Sequence, residues 1–318
     1  MKRQFVNQLE EGDTVDDYFV AVRKDLRDTQ SGNKFLGCVF KDRTGEIGGM
    51  VWKNATGMAG LFEIGQVVNV RAAVTSYRDR LQLRVDQILP LREGEFDKAD
   101  LVHIPENIRE MADAFWALLD SITQPALRQL VEAFREDASL LDQFLGAAAG
   151  KGWHHAHRGG LLQHCLELAR LTDAVCTIYP QLNRDIMLTG VLLHDIGKIE
   201  EMSQDLYIEY TTAGKLVGHI AQGVMIAQRR MDAIPDFPEE LRLHLLHIIV
   251  SHHGEYAHGA SVLPKTPEAI AFSKLDDLSA QVDAFTRVIG EAQGKGEDWS
   301  PFLPLIDRQV HAKRPQSG

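Results

Sequence analysis

The sequence predicts a multidomain protein of two different classes, a small all-β barrel followed by an all-α domain. Three observations carry the division. From Val15 to Leu91 apolar and polar residues alternate in short runs separated by turn residues, the period-two signature of half-buried strands. From Pro105 onward apolar residues recur at three- and four-residue steps, the spacing of one helix face. All 13 histidines lie at or beyond His103, so any imidazole chemistry belongs to the helical part.

The β segments "YFVAVRKDLRD", "FLGCVFKDRTGEIGGMVW" and "VVNVRAAVTSYRDRLQLRVDQIL" give five candidate strands, punctuated by Ser31-Gly32-Asn33 and Asp42-Arg43-Thr44-Gly45. Five strands in about 80 residues suit a Greek-key barrel. Their order resembles the OB-fold of anticodon-binding and single-strand-binding proteins, which implies a nucleic-acid-binding domain over 1–92. The charged run Arg92 to Asp100 (REGEFDKAD) opens a linker placed at 93–105. Helices are expected at 105–121, 124–135, 139–149, 161–178, 185–196, 218–233, 238–252 and 267–289, most of them in a domain placed at 106–290. Gly197 and Gly254 read as helix ends, and Asp236 with Pro238 as a helix start. Residues 291–318 read as a C-terminal tail, frayed from His311 to Gly318.

A formal net charge of −11 argues against charge-driven binding of nucleic acid by the whole surface. The charge is uneven: residues 1–92 carry +2 and the remainder −13. An acidic protein that acts on a polyanion needs a local basic groove or a metal centre. The three cysteines, Cys38, Cys165 and Cys176, form no CxxC pair and suggest neither a disulfide framework nor a thiolate zinc site. A metal would therefore be held by nitrogen and oxygen. Met1 to Gly12 has no apolar signal-like core, and the longest apolar runs, Ile186 to Leu193 and Leu245 to Val250, are too short to span a bilayer. The chain reads as cytoplasmic, with no membrane partner.

Several helical faces end in a ligand-type side chain. His164 shares a face with Leu161 and Leu168; His194 follows Gly190 and Val191, with Asp195 beside it. His219 stands near a helix start. His252 ends the stripe Leu241, Leu245, Ile248, and Asp276 lies four beyond Phe272. One buried histidine or aspartate is ordinarily satisfied by a hydrogen bond. Five helices each delivering one to an inner end are better explained by a shared metal site. Imidazole and carboxylate without thiolate suit manganese, iron, nickel, zinc or magnesium, and six to seven ligands with a carboxylate able to bridge point to two cations.

The order His164, His194-Asp195, His219, His252-His253, Asp276 resembles the HD superfamily of metal-dependent phosphohydrolases, in its binuclear branch. "FLGAAAGKGWHHAHRGGLLQHCLELA", "LLHDIGKIEE", "TTAGKLVGHI" and "SHHGEYAHGASVLPKTPEAIAFSKLDDL", with the barrel in front, resemble the YhaM-type 3'-5' exoribonucleases over roughly 15–285. The resemblance implies hydrolysis of single-stranded RNA, with single-stranded DNA as a further substrate, by a metal-activated hydroxide that releases nucleoside 5'-monophosphates. It implies His164, His194, Asp195, His219, His252 and Asp276 as ligands of two divalent cations, with Asp195 bridging. Manganese comes first, with iron, cobalt, nickel or magnesium as alternatives. His253 is a seventh ligand or a donor to phosphate. Asp195 and Lys198 are the expected catalytic residues. Lys198 would meet a nonbridging phosphate oxygen, or else be a solvated cation complementing a helix C-terminus. Lys215 has the same two readings. The chain departs from the family in carrying Ser279 where a second aspartate is frequent, and His157-Arg158 where an aromatic is.

In the barrel, Phe35, Phe40, Trp52 and Tyr77 are candidates for stacking on bases, and Arg78 and Arg80 for tracking a phosphate backbone. Phe35 and Phe40 lie five apart and face opposite sides of a regular strand, so one of them is core. Two other functions remain: a phosphohydrolase of small nucleotides, and a non-catalytic single-strand-binding regulator. The cyclic-dinucleotide branch has a GYP motif after its paired histidines, where this chain has "GEYAHGASVLP". A homo-oligomer is left open.

Overall fold

The computed structural model describes residues 2–29, 32–78, 80–105, 107–151, 155–203, 205–304 and 306–313. Ser31 of the first expected turn, Asp79 of "YRDR", Gly152 to His154 and the terminal 314–318 lie outside them. The chain divides into two compact units, Met1–Ile104 with Asp205–Tyr207, and Pro105–Gln204 with Ile208–Gly318.

In the first unit the described residues form β1 (Thr14–Asp28), β2 (Lys34–Asp42), β3 (Gly45–Val51), α1 (Ala55–Ala59), β4 (Val67–Tyr77) and β5 (Arg80–Pro90). β1 is long enough to serve two neighbours, β4 along its first half and β2 along its second. A register shift between Ala21 and Arg23 bends it near the changeover, as a bulge does. Antiparallel pairs β2–β3 and β4–β5, joined by the parallel pair β3–β5, close a barrel in the order β1-β2-β3-β5-β4. This is the OB-fold arrangement the sequence predicts. Phe19, Leu36, Phe40, Val68, Leu83 and Ile88 fill the interior. Gly49 makes room for one of them, because a Cβ there would stand 2.6 Å from the Phe40 ring. The segment expected as a linker groups with this unit through Ile104. Leu101 is fully buried in a cluster with Tyr18, Val20 and Val67, and the Tyr18 hydroxyl donates to Asp100 at 2.5 Å.

The second unit is helical: α2 (Ile108–Leu119), α3 (Pro125–Glu136), α4 (Ala138–Gly146), α5 (Gly160–Ile178), α6 (Arg184–Leu193), α7 (Lys198–Glu201), α8 (Thr212–Asp232), α9 (Glu239–Ser251) and α10 (Pro267–Gly294). α6 is buried from Ile186 to Leu193 among α3, α5, α9 and α10, which explains an apolar run too short for a membrane. No helix among the described residues is long and apolar enough to cross one. α8 starts earlier than expected but breaks at Gly218 (φ 75°, ψ 158°), where the sequence placed a start. The described residues of the expected tail take part in the fold. α10 continues to Gly294, Trp299 bridges to His311, and Ala312 is fully buried with its carbonyl accepting from Gln293 at 2.6 Å.

Candidate metal centre

Each ligand-type residue arrives at the end of a buried face. His164 sits on α5 between Leu161 and Leu168, all three fully buried. His194 caps α6, and Asp195 follows in the turn to α7. His219 comes directly after the Gly218 break, His252 caps α9 with His253 next, and Asp276 lies on α10 beyond the fully buried Phe272. Gly197 corrects a sequence expectation. Its φ of −61° is right-handed, so it is not a left-handed helix stop. A Cβ there would stand 2.0 Å from the His219 carbonyl oxygen and 2.6 Å from the Gly223 nitrogen. Glycine is needed so that α8 can approach the turn carrying His194 and Asp195.

These side chains converge. His164 Nε2 lies 2.9 Å from Asp276 Oδ1 and 3.3 Å from His194 Nε2. Asp195 stands between two sets: Oδ2 is 3.4 Å from His194 Nε2, and Oδ1 is 3.5 Å from His219 Nε2 and 3.6 Å from His252 Nε2. Ligand atoms fall within 4.8 Å of one another in two groups, His164–His194–Asp195 and His219–His252–His253.

The far nitrogen of each imidazole decides what the near one can do. His194 Nδ1 is 3.0 Å from the Val191 carbonyl and His252 Nδ1 is 2.8 Å from that of Ile249. A carbonyl only accepts, so Nδ1 carries the proton and Nε2 presents a lone pair. Asp195 Oδ1, His219 Nε2, His252 Nε2 and His253 Nδ1 have no hydrogen-bond partner among the described residues although they are buried. Acceptors aimed at one another without a donor are costly, and a cation relieves them. Burial pushes the His253 pKa down to about 4 and lowers that of His164, keeping both neutral. Burial also works against a charged His194, but Asp195 and Asp276 outweigh it and raise its pKa. Burial would raise the Asp195 carboxyl; Lys198 and His194 hold it well below its ordinary range. The donor set is carboxylate oxygen and imidazole nitrogen, which fits divalent cations.

Residues 161–281 match the family model of the HD domain and 20–91 that of the OB-fold nucleic acid binding domain. A 3'-5' exoribonuclease YhaM of Listeria monocytogenes is 29% identical over 284 residues, 88% of this chain and 90% of its own length. One of the same name from Listeria welshimeri is 30% identical over 285 residues, with the same shares. The chain belongs to the YhaM exoribonuclease family. A solved OB domain of Methanosarcina mazei covers 31% of the chain and 90% of its own, at 25% identity and a TM-score of 0.25. The OB-fold order of this family member rests on its strand pairing.

In this YhaM-family chain Lys198 is buried, with Nζ 2.6 Å from Asp195 Oδ2, which overturns the solvated alternative. It lines a cleft of about 420 Å³ together with Asp195, His252, His253 and Asp276. Lys215 is exposed ahead of the Gly218 break, outside the lining of that cleft. The sequence reading missed the residues behind the ligands. Glu201 accepts from both the backbone N–H (3.0 Å) and Nδ1 (3.1 Å) of His219. Ser279 Oγ lies 3.1 Å from His164 Nδ1 and donates to Glu167 at 3.1 Å. A signal existed for two of them: Glu167 is three residues after His164, and Ser279 three after Asp276, so each shares its ligand's helix face.

The family member's barrel sorts the expected nucleic-acid contacts. Phe40 is fully buried, so the structure removes it from the contact surface and makes it core. Phe35 stacks on Trp52 with ring centroids 5.3 Å apart, and Trp52 is 56% exposed. Tyr77 is exposed with the Arg78 guanidinium 5.2 Å from its ring centroid, and Arg80 is exposed at the start of β5. The two sets are not brought together. β3 pairs with β5 from Gly48↔Gln82 to Val51↔Val85, so Trp52 follows one end of that ladder and the Tyr77–Arg80 turn precedes the other. At about 3.3 Å per residue they stand about 20 Å apart along the strand.

Proposed function

We propose that the chain is a metal-dependent 3'-5' exoribonuclease that hydrolyses single-stranded RNA to nucleoside 5'-monophosphates, with single-stranded DNA as a second substrate. The observation that carries the reading is the meeting of Asp195 Oδ1, His219 Nε2 and His252 Nε2, buried and without hydrogen-bond partners among the described residues, beside His164, His194 and Asp276. Lone pairs gathered in this way without a donor are relieved by a divalent cation. The likeness to relatives named 3'-5' exoribonucleases supports the same reading.

His164, His194 and Asp276 would hold one cation and His219, His252 and His253 the other, with Asp195 shared between them. Manganese is the first choice, with iron, cobalt, nickel or magnesium also suited to oxygen and imidazole. Two bound cations supply a water acidic enough to attack phosphorus and positive charge against the phosphate oxygens. The chain's own residues do the rest. Lys198 brings a second source of positive charge into the cleft. Its pKa is raised: burial opposes the ammonium, and Asp195 outweighs burial. It therefore stays protonated to donate to a nonbridging oxygen. The low pKa of His253 leaves its lone pair available as the seventh ligand. In the barrel the Phe35–Trp52 pair offers a stacking platform for single-stranded bases, and Tyr77, Arg78 and Arg80 a separate basic contact. Cys38, Cys165 and Cys176 are free and buried, in keeping with a cytoplasmic site of action.

The test is metal-stripped protein with 5'-labelled single-stranded RNA or DNA, with manganese, magnesium or no metal. Stepwise shortening from the 3' end with free 5'-monophosphate is expected only with metal. Bound but uncut RNA would transfer the function to the barrel alone. Neither binding nor cleavage would point to small nucleotides.

A further inference from the structure

The four histidines at the heart of the centre are oriented in two different ways. His194 and His252 each donate the Nδ1–H to a backbone carbonyl three residues back in the chain. His164 and His219 do not. Each is backed by a carboxylate, Glu201 for His219 and, through Ser279 of α10, Glu167 for His164, and the two histidines lie in different groups of ligand atoms.

Behind His219 the carboxylate is direct. One oxygen of Glu201 accepts both the backbone N–H and the Nδ1 of His219, so a single atom fixes the ring and the backbone where α8 breaks at Gly218. Glu201 is itself buried at the end of α7. Behind His164 the carboxylate acts through a hydroxyl. Glu167 can only accept, so Ser279 must donate its proton to Glu167 Oε2 and keep a lone pair for His164 Nδ1–H. The other oxygen of Glu167 is held at 3.0 Å by Gln163 and at 3.3 Å by the buried His155, whose backbone N–H is anchored 2.8 Å from Asp283. His155 has a φ of 42°, a conformation its surroundings must hold in place.

We propose that Glu201 and the Ser279–Glu167 pair are positioning residues that set cation affinity separately in the two halves of the centre, Glu201 for the His219 half and Ser279–Glu167 for the His164 half. A hydrogen bond to the far nitrogen fixes the tautomer and orientation of a ligating imidazole and raises its basicity, and its loss lowers metal affinity about 10- to 100-fold. Among the described contacts the two sets have no residue in common, so each is expected to act chiefly on its own half. The inference rests on the two-cation reading above.

Manganese binding to the full metal-stripped chain, measured by calorimetry, tests it. Two backgrounds isolate the halves: His219→Ala leaves the His164 half, and His164→Ala leaves the His219 half. In the His219→Ala background Ser279→Ala is expected to weaken the remaining site about 10- to 100-fold, and Glu201→Ala to leave it unchanged. In the His164→Ala background the pattern reverses. Ser279→Thr, which keeps the hydroxyl, and Glu201→Gln, which keeps an acceptor oxygen, are expected to recover most of the loss. Metal-free thermal unfolding identifies any variant that fails to fold. Two wild-type sites weakened alike by both substitutions, or by neither, would overturn the inference and leave the two-cation reading standing. A wild-type chain that binds no manganese would overturn both.

Discussion

At the scale of residues, function concentrates in a few buried atoms. Asp195 reaches nitrogens of both groups of candidate ligands, with His194 on one side and His219 and His252 on the other. Asp195→Ala is expected to lower metal-dependent cleavage by more than about 100-fold while leaving RNA affinity within a factor of two; a filter-binding assay beside the cleavage assay separates the two. Glu167 offers a pH test. Burial alone would raise its pKa, but hydrogen bonds from His155, Gln163 and Ser279 bring it down to about 2, from an ordinary 4.5. A carboxylate depressed in the folded state contributes stability that is fully present above 4.5 and lost as pH falls towards 2. Acid unfolding of the wild type is therefore expected to show a component between these values that Glu167→Gln lacks. Superimposable acid limbs would mean that these hydrogen bonds do not hold the carboxylate.

At the scale of elements, close approach and packing decide which sequence expectations held. Gly197→Ala would push a methyl into the His219 carbonyl, and a loss of about 2–4 kcal/mol is expected, visible as a lowered melting temperature even in metal-free protein. Phe40 on β2 and Trp52 just beyond β3 separate in the same way. Phe40→Ala is expected to cost about 3–5 kcal/mol of stability, whereas Trp52→Ala should leave the melting temperature in place and weaken single-strand binding by the ~1–3 kcal/mol of one stacked base. Loss of stability in both, with no change in binding, would make Trp52 a packing residue too. Strand positions and most helix positions were legible because alternation and three-to-four spacing are read locally, whereas the strand order came only with the resemblance to the OB-fold. Phe40 was half legible: the count of five from Phe35 said that one was core, but not which. Gly197 was misread because a close approach between α7 and α8 leaves no local signal. Leu101 was hidden behind the charges of Arg92 to Asp100, and the tail's part in the fold behind residues with no period at all. The proposed metal ligands stood out because an imidazole at the end of an apolar stripe conflicts with its neighbours. Glu167, Glu201 and Ser279 did not, since a glutamate or serine on a helix conflicts with nothing until its burial is known.

At the scale of the whole molecule, an acidic chain must act on a polyanion, and the cations reconcile the two. The formal charge of −11 divides into −13 after residue 92, the part that also carries every proposed metal ligand, and +2 over residues 1–92. RNA binding is therefore expected to fall as salt rises, through the barrel, and cleavage to fall on metal removal at unchanged salt. Because a cation bound only by the folded state stabilises it by RT ln(1 + [L]/Kd), manganese at about 100 times its Kd should add about 2.7 kcal/mol; an unchanged melting temperature would mean that no such site exists. The most direct single measurement is the time course of a 5'-labelled single-stranded RNA with metal-stripped protein, with and without manganese, beside Asp195→Ala. A ladder receding from the 3' end, dependent on manganese and absent in the variant, is the predicted result. Cleavage that needs no metal, or that persists in Asp195→Ala, would contradict it.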